Sequence, residues 1–136
     1  MIKYEECNCN PKKRKTGDCT VRALVGTLGI DYEEAINRCA YYAKKDYYGI
    51  TDKQTVESVL KDYGYVKMKQ PRKPDGKKYQ VREMDVILTE KQMQEGVFVS
   101  VANHHTCIVK GRIQDIWDCG RKTVGNYYVR KEWPDE

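Results

Sequence analysis

Apolar residues recur at intervals of three and four positions in the first half of the chain, which is the spacing of one face of an α-helix. Three such segments predict helices at about residues 19–28, 32–45 and 52–63. Gly29 follows the first segment and can end that helix. The first segment carries little polar surface apart from Arg22, so we expect this helix to be buried on most sides.

Polar residues suited to capping precede two of these segments. Thr16 or Asp18 can cap the first helix, and Thr51 with Gln54 has the spacing of a capping box for the third. These residues support the predicted helix starts independently of the apolar pattern.

The second half of the chain changes to the alternation of β-strands. A loop rich in lysine, proline and glycine at residues 67–80 separates the two patterns, and short helical turns are expected at 81–86 and 90–95. The predicted strands, in chain order, occupy residues 97–101, 104–109, 112–117 and 126–131. Lys110-Gly111 has the length of a two-residue hairpin turn between the second and third strands.

Helices followed by an antiparallel sheet define an α+β fold. A chain of 136 residues suits one domain, predicted to span residues 1–136, with residues 1–17 as a polar, basic lead-in. No apolar run approaches the roughly 20 residues that a membrane span needs. Acidic residues stand where a signal peptide has its apolar stretch, so we predict a cytoplasmic protein with reduced cysteines.

Cys19 stands at the predicted start of the first helix, directly after a polar loop that contains Gly17. The unpaired N–H groups and the positive dipole end of a helix start both stabilise a thiolate. The same N–H groups can hold an oxyanion. This position therefore indicates a thiol nucleophile, and the alternative is a small buried core residue.

The predicted hairpin supplies a base and a carboxylate. If Lys110-Gly111 form the turn, His104 lies on the same face as Asp115, one diagonal step away. His105 then lies on the opposite face with Asp118. Because a strand alternates its faces, the pairs are His104–Asp115 or His105–Asp118, and they cannot mix.

Three stretches of the chain, residues 17–24, 104–119 and 124–128, resemble a group of small papain-like cysteine hydrolases. Proteins of that group occur in bacteriophages and in bacterial genomes that carry phage-like genes. The resemblance implies a papain-like fold, in which N-terminal helices, the first carrying the cysteine, pack on a C-terminal antiparallel sheet.

The family pattern places a histidine seven positions before the hairpin glycine and an aspartate four positions after it. His104, Gly111 and Asp115 match this spacing. The resemblance therefore favours His104 over His105 and implies a catalytic triad of Cys19, His104 and Asp115.

The resemblance also implies an activity: a thiol-dependent hydrolase, or cysteine protease, acting on a peptide or protein such as a host protein in the bacterial cytoplasm. Papain-like enzymes often place a glutamine a few residues before the cysteine to bind the oxyanion. Lys13 stands six positions before Cys19, and the nearest side-chain amide is Asn10, which we take as the oxyanion candidate.

A catalytically silent binding protein on the same fold is the competing interpretation. The basic run at residues 12–15 and the lysines of the 67–80 loop would serve it by contacting a host protein or nucleic acid. Short basic runs more often form solvated surface, so the nucleic-acid signal is weak.

The cysteine and histidine spacings do not fit a zinc site. Cys7 and Cys9 are separated by one residue, whereas zinc ligands are usually separated by two to four, and His104 and His105 are adjacent. We therefore expect no metal and no cofactor.

Overall fold

A six-stranded sheet, flanked by helices, forms the fold in the computed structural model, which describes residues 1–132. The elements in chain order are β1 (Lys3–Glu6), α1 (Cys19–Leu28), α2 (Tyr32–Asp46), α3 (Lys53–Asp62), β2 (Tyr65–Met68), a 3₁₀ helix (Val81–Val86), α4 (Glu90–Glu95), β3 (Val97–Val101), β4 (His104–Val109), β5 (Arg112–Asp115) and β6 (Tyr127–Arg130). The α+β class is confirmed. The single-domain prediction extends over residues 133–136, which lie outside the described residues.

The sheet is mixed, not purely antiparallel as predicted. Its strand order is β1-β5-β4-β3-β6-β2, and β1 runs parallel to β5, while the other pairs are antiparallel. β1 lies within the predicted lead-in 1–17, and β2 includes the first two residues of the predicted loop 67–80. Both are edge strands of four residues that bury little of their side-chain surface, so neither has the alternation that marks a strand.

The helices begin and end within one residue of their predicted positions. Gly29 ends α1 in the left-handed conformation, with φ of 67°, as a C-terminal glycine does. The capping box predicted for Thr51 and Gln54 is wrong, because α3 starts one residue later and Asp52 is its N-cap. The Asp52 carboxylate accepts a hydrogen bond from the Gly49 N–H at 2.8 Å, which closes the turn before the helix.

The predicted hairpin is confirmed, together with its register. Lys110 and Gly111 both have positive φ, 55° and 72°, as a type I′ turn requires. Val109 is paired with Arg112 across this turn. β5 ends at Asp115, two residues before the predicted end at 117.

Both faces of the sheet are buried by apolar packing. On one face, Val97, Val99 and Ile108 pack with Val81 and Met84 of the 3₁₀ helix. On the other face, side chains of β3, β6 and the first three helices form a second cluster that includes Leu24, Val59, Leu60, Phe98 and Tyr128. α1 is thereby pressed against the centre of the sheet. No helix of residues 1–132 combines the length and the apolar character needed to cross a bilayer.

Gly26 permits this close approach of α1 to β4. A Cβ atom at Gly26 would lie 2.4 Å from Cys107 Sγ, far inside van der Waals contact. Alanine normally stabilises a helix interior by about 1 kcal/mol relative to glycine. At this position we expect Gly26→Ala to lower the free energy of unfolding instead, by about 1–3 kcal/mol, because either the buried Cys107 side chain or the helix must shift to make room for the added methyl group.

Urea unfolding of a double-mutant cycle tests this prediction. Cys107→Ala removes the clashing sulfur, so Gly26→Ala should be much less destabilising in that background than in the wild type. A Gly26→Ala protein as stable as the wild type would show that α1 does not pack this closely.

Candidate active site

Cys19 is the first residue of α1, and its thiol is half-buried beside the first residues of β4. The interaction with the His104 imidazole is the main cause that lowers the pKa of this thiol below its ordinary value. The backbone N–H of His105 and the Thr20 hydroxyl lower the pKa further, whereas burial opposes them. Residues at the starts of α1 and β4 together therefore favour the thiolate form of Cys19.

His104 and Asp115 form a buried hydrogen-bonded pair. The His104 Nε2 atom lies 2.6 Å from Asp115 Oδ2, and the two side chains are 10% and 3% exposed. The carboxylate also accepts a hydrogen bond from the Ile116 N–H at 2.7 Å. The diagonal placement that hairpin register predicts for His104 and Asp115 is thus confirmed.

The pair stabilises a protonated imidazole. Burial works to lower the pKa of His104, but hydrogen bonds with Asp115 and Cys119, together with the interaction with Cys19, raise it to about 11. Burial works to raise the pKa of Asp115, but the interactions with His104 and further hydrogen bonds, among them that from the Ile116 N–H, together outweigh burial, so this pKa is lowered. Because Nε2 binds Asp115, Nδ1 is the ring nitrogen left for the thiol. The lowered pKa of Cys19 and the raised pKa of His104 favour a thiolate–imidazolium ion pair, with the Asp115 carboxylate behind the ring.

The alternative pair of His105 and Asp118 is not formed. The His105 Nδ1 atom lies 2.8 Å from the Thr20 hydroxyl, and its ring packs against Phe98 with centroids 5.0 Å apart. Burial lowers the pKa of His105 to about 4, which keeps the ring neutral. Asp118 instead accepts a hydrogen bond from the Gly120 N–H at 2.9 Å. His105 therefore ties the first turn of α1 to β4.

Arg22 connects the helix start to the carboxylate of this pair. Its guanidinium, on a side chain that is 6% exposed, forms an ion pair with Asp18 and lies 3.6 Å from Asp115 Oδ1. Asp18 also accepts a hydrogen bond from the Tyr32 hydroxyl at 2.7 Å. The Asp18 charge, although adjacent to Cys19 in sequence, is thereby neutralised. Sequence reasoning missed this network, although a charged residue within a buried helix signals buried partners.

Asn10, the predicted oxyanion donor, is buried beside the same network. Its amide nitrogen donates hydrogen bonds to Asp18 Oδ2 at 3.1 Å and to the Tyr32 hydroxyl at 3.4 Å. An oxyanion role for Asn10 stays a prediction and requires these bonds to break. The unpaired N–H groups of the first helical turn are donors that need no such rearrangement.

Cys119 adds a third polar atom behind the imidazole. One ring nitrogen of His104, one carboxylate oxygen of Asp115 and Cys119 Sγ lie within 4.8 Å of one another, a grouping that can suggest a metal site. The 2.6 Å separation of Nε2 and Oδ2 is a hydrogen-bond distance. Two ligands bound to one zinc ion at about 2.0–2.2 Å each in a tetrahedral site lie farther apart than that. The positive charge of Arg22 also stands beside the carboxylate. The geometry fits a shared proton, with the Cys119 thiol as a weak donor at 3.7 Å from Oδ2.

Trp117 covers one side of the imidazole. Its ring centroid lies 4.9 Å from that of His104, and the residue is 39% exposed. An aromatic side chain in this position shields one face of the His104 ring from water.

Comparison with known proteins adds no assignment. No protein-family model matches the chain, and neither the curated proteins nor the solved structures give a match. The papain-like resemblance therefore rests on the three stretches described above and stays a prediction.

The ion pair has a defined effect on stability as pH changes. In the unfolded chain, His104 loses its proton near pH 6.5 and Cys19 near pH 8.5. The raised pKa of His104 contributes stability that is complete below pH 6.5 and is lost as pH rises towards 11. The lowered pKa of Cys19 contributes stability that is complete above pH 8.5 and is lost as pH falls. As pH rises towards 8.5, the two contributions therefore change in opposite directions.

In Cys19→Ser, the pH dependence of stability should show the contribution of His104 without that of Cys19. We expect the variant's free energy of unfolding to fall from about pH 6.5 upward, by up to about 1.4 kcal/mol per pH unit, and the free energy of unfolding of the wild type to fall less up to about pH 8.5, because the Cys19 contribution has the opposite sign. Urea unfolding under reducing conditions at constant ionic strength measures this. Cys39→Ser is the control, because burial raises the pKa of Cys39 to about 11 and its loss leaves the pH 6.5–8.5 interval unchanged. Parallel curves for the wild type and Cys19→Ser would contradict the ion pair.

Proposed function

We propose that the protein is a thiol-dependent hydrolase of amide or peptide-type bonds, a cysteine protease-like enzyme with Cys19, His104 and Asp115 as its catalytic triad. The observation that carries the proposal is the buried hydrogen bond between His104 and Asp115. The Cys19 thiol at the start of α1 lies close enough to that imidazole for its pKa to be lowered by it. Each residue has the chemistry and the neighbours that its role in acyl transfer requires.

The reaction follows from these contacts. The Cys19 thiolate attacks the carbonyl carbon, and the electron pair of the carbonyl bond moves to oxygen, where backbone N–H groups of the helix start bind it. As the carbonyl re-forms, the carbon–nitrogen bond breaks and His104 donates its proton to the leaving nitrogen. The product of this step is a thioester on Cys19.

Water then releases the acyl group. His104, now neutral, takes a proton from a water molecule whose oxygen attacks the thioester. A carboxylic acid leaves, and the thiolate and the imidazolium are restored. Asp115 holds the ring in the orientation that serves both steps, and the Arg22 guanidinium lies beside the Asp115 carboxylate.

The proposal includes a papain-like arrangement and a phage-encoded protein acting in a bacterial cytoplasm on a peptide or protein substrate. Both rest on the resemblance of the three stretches. The position of a cysteine at the start of a helix packed on the sheet that carries the histidine is consistent with that arrangement.

A catalytically silent binding protein is the second candidate. Two observations favour it: the engagement of the Asn10 amide with Asp18, and the exposure of the basic run 12–15. It predicts a Cys19 thiol without enhanced reactivity, which separates it from the enzyme.

Alkylation by iodoacetamide at pH 6, followed by peptide mapping, tests the enzyme. Cys9 is the internal control, because it is also half-buried but its pKa is raised by burial. We expect Cys19 to react at least about tenfold faster than Cys9, because each unit of pKa changes the thiolate fraction about tenfold. His104→Ala should remove most of the difference.

The matching activity experiment compares the wild type with Cys19→Ser. Each is incubated with a denatured bacterial lysate, and newly formed protein N-termini are labelled and sequenced. We expect termini that require Cys19. A Cys19 thiol no more reactive than Cys9, together with identical termini from both proteins, would contradict the proposed function.

A further inference from the structure

An exposed, strongly basic loop directly precedes the proposed nucleophile. Residues 11–17 are all exposed, and they include Lys12, Lys13, Arg14 and Lys15. Asp18 and Cys19 follow at once. The charge of this loop therefore lies at the start of α1, where the helix dipole is also positive.

Hydrogen bonds hold this loop in a defined course. Asn8 donates to the Arg14 carbonyl at 3.1 Å, and Arg22 donates to the Thr16 carbonyl at 3.3 Å. The Lys12 N–H donates to the Asn10 side chain at 2.9 Å. Asn10 and Arg22, which hold the backbone of the loop, also contact Asp18, so the position of the loop relative to Cys19 is set in part by the active-site network.

The charge of the loop is not neutralised by neighbours. Within residues 1–132, none of the four basic side chains lies within 4.0 Å of a carboxylate, and only the Lys13 ammonium has a partner, the Asn8 carbonyl at 2.8 Å. Asp18 is engaged by Arg22 and Tyr32. Asp18, the acidic residue nearest in sequence, therefore does not pair with Lys12, Arg14 or Lys15, and their charges are available to bind a ligand.

We propose that the substrate is an acidic polypeptide, whose carboxylates next to the cleaved bond bind Lys12, Arg14 and Lys15. The inference rests on the proposed function and names its substrate class. A patch of one charge beside a reactive group raises the local concentration of oppositely charged substrates, and its effect on rates falls with salt. Nucleic acid fits less well, because the loop offers no aromatic side chain on which a base could stack.

Three peptide vinyl sulfones that differ only in charge test the proposal: one with two glutamates beside the reactive group, one with two lysines and one with two glutamines. The measurement is the second-order rate of adduct formation at Cys19, followed by intact-protein mass. We expect the acidic probe to react at least about tenfold faster than the basic probe at 50 mM salt, with most of the preference lost at 500 mM.

Two matched triple variants locate the effect. Lys12→Gln/Arg14→Gln/Lys15→Gln should lose the preference while its rate with the neutral probe stays close to that of the wild type. The control, Lys69→Gln/Lys77→Gln/Lys78→Gln, makes the same change of net charge on exposed residues between β2 and the 3₁₀ helix. The control should keep the preference.

The outcomes separate this inference from the proposed function. If the neutral probe labels Cys19 but the acidic and basic probes react equally, the substrate class is wrong. If the control loses the preference as well, Lys12, Arg14 and Lys15 are not the binding residues. In both cases the inference fails and the hydrolase stands. If no probe labels Cys19 and iodoacetamide also reacts slowly there, the hydrolase fails, and the inference fails with it. Binding of a single-stranded oligonucleotide that requires Lys12, Arg14 and Lys15, without any peptide preference, would overturn the inference in favour of nucleic acid.

Discussion

The buried guanidinium of Arg22, placed between the carboxylates of Asp18 and Asp115, is the interaction on which the candidate site depends. Removing one partner from a buried charge pair typically destabilises a protein by about 3–5 kcal/mol, because the other charge is left uncompensated. Arg22 belongs to α1 and Asp115 ends β5. The same contact that satisfies these charges therefore fixes the helix start, with Cys19, beside the end of the hairpin.

Starting from this contact, each group favours the charged state of the next one in the site. Arg22 and the Ile116 N–H favour an ionised Asp115, which favours a protonated His104, which in turn favours a thiolate at Cys19. A second link between the helix start and β4, from Thr20 to the neutral ring of His105, limits their relative movement. Two adjacent histidines thus have opposite protonation states, because one faces a carboxylate and the other faces a hydroxyl and an aromatic ring.

The sequence patterns predicted best those elements whose determining residues are all close together in the chain. The period of α1 and the two-residue turn at Lys110-Gly111 fixed the helix bounds and the hairpin register, and the register placed His104 beside Asp115. β1 and β2 could not be predicted, because four-residue edge strands with little buried surface are specified by their neighbours in the sheet. The roles of Arg22 and Asn10 depend on which side chains meet after folding, and sequence spacing does not contain that information.

The protonation state of His104 is the most direct test of this account. In a ¹⁵N-labelled sample, the ring nitrogen shifts of His104, followed from pH 5 to 10, report whether both nitrogens carry protons, and His105 serves as the internal reference for a neutral ring. The account predicts that His104 stays an imidazolium through pH 8, as its raised pKa of about 11 requires, while His105 is neutral throughout, with a pKa of about 4. A His104 ring that loses its proton near pH 6.5, the ordinary value, would contradict the ion pair and the catalytic role built on it.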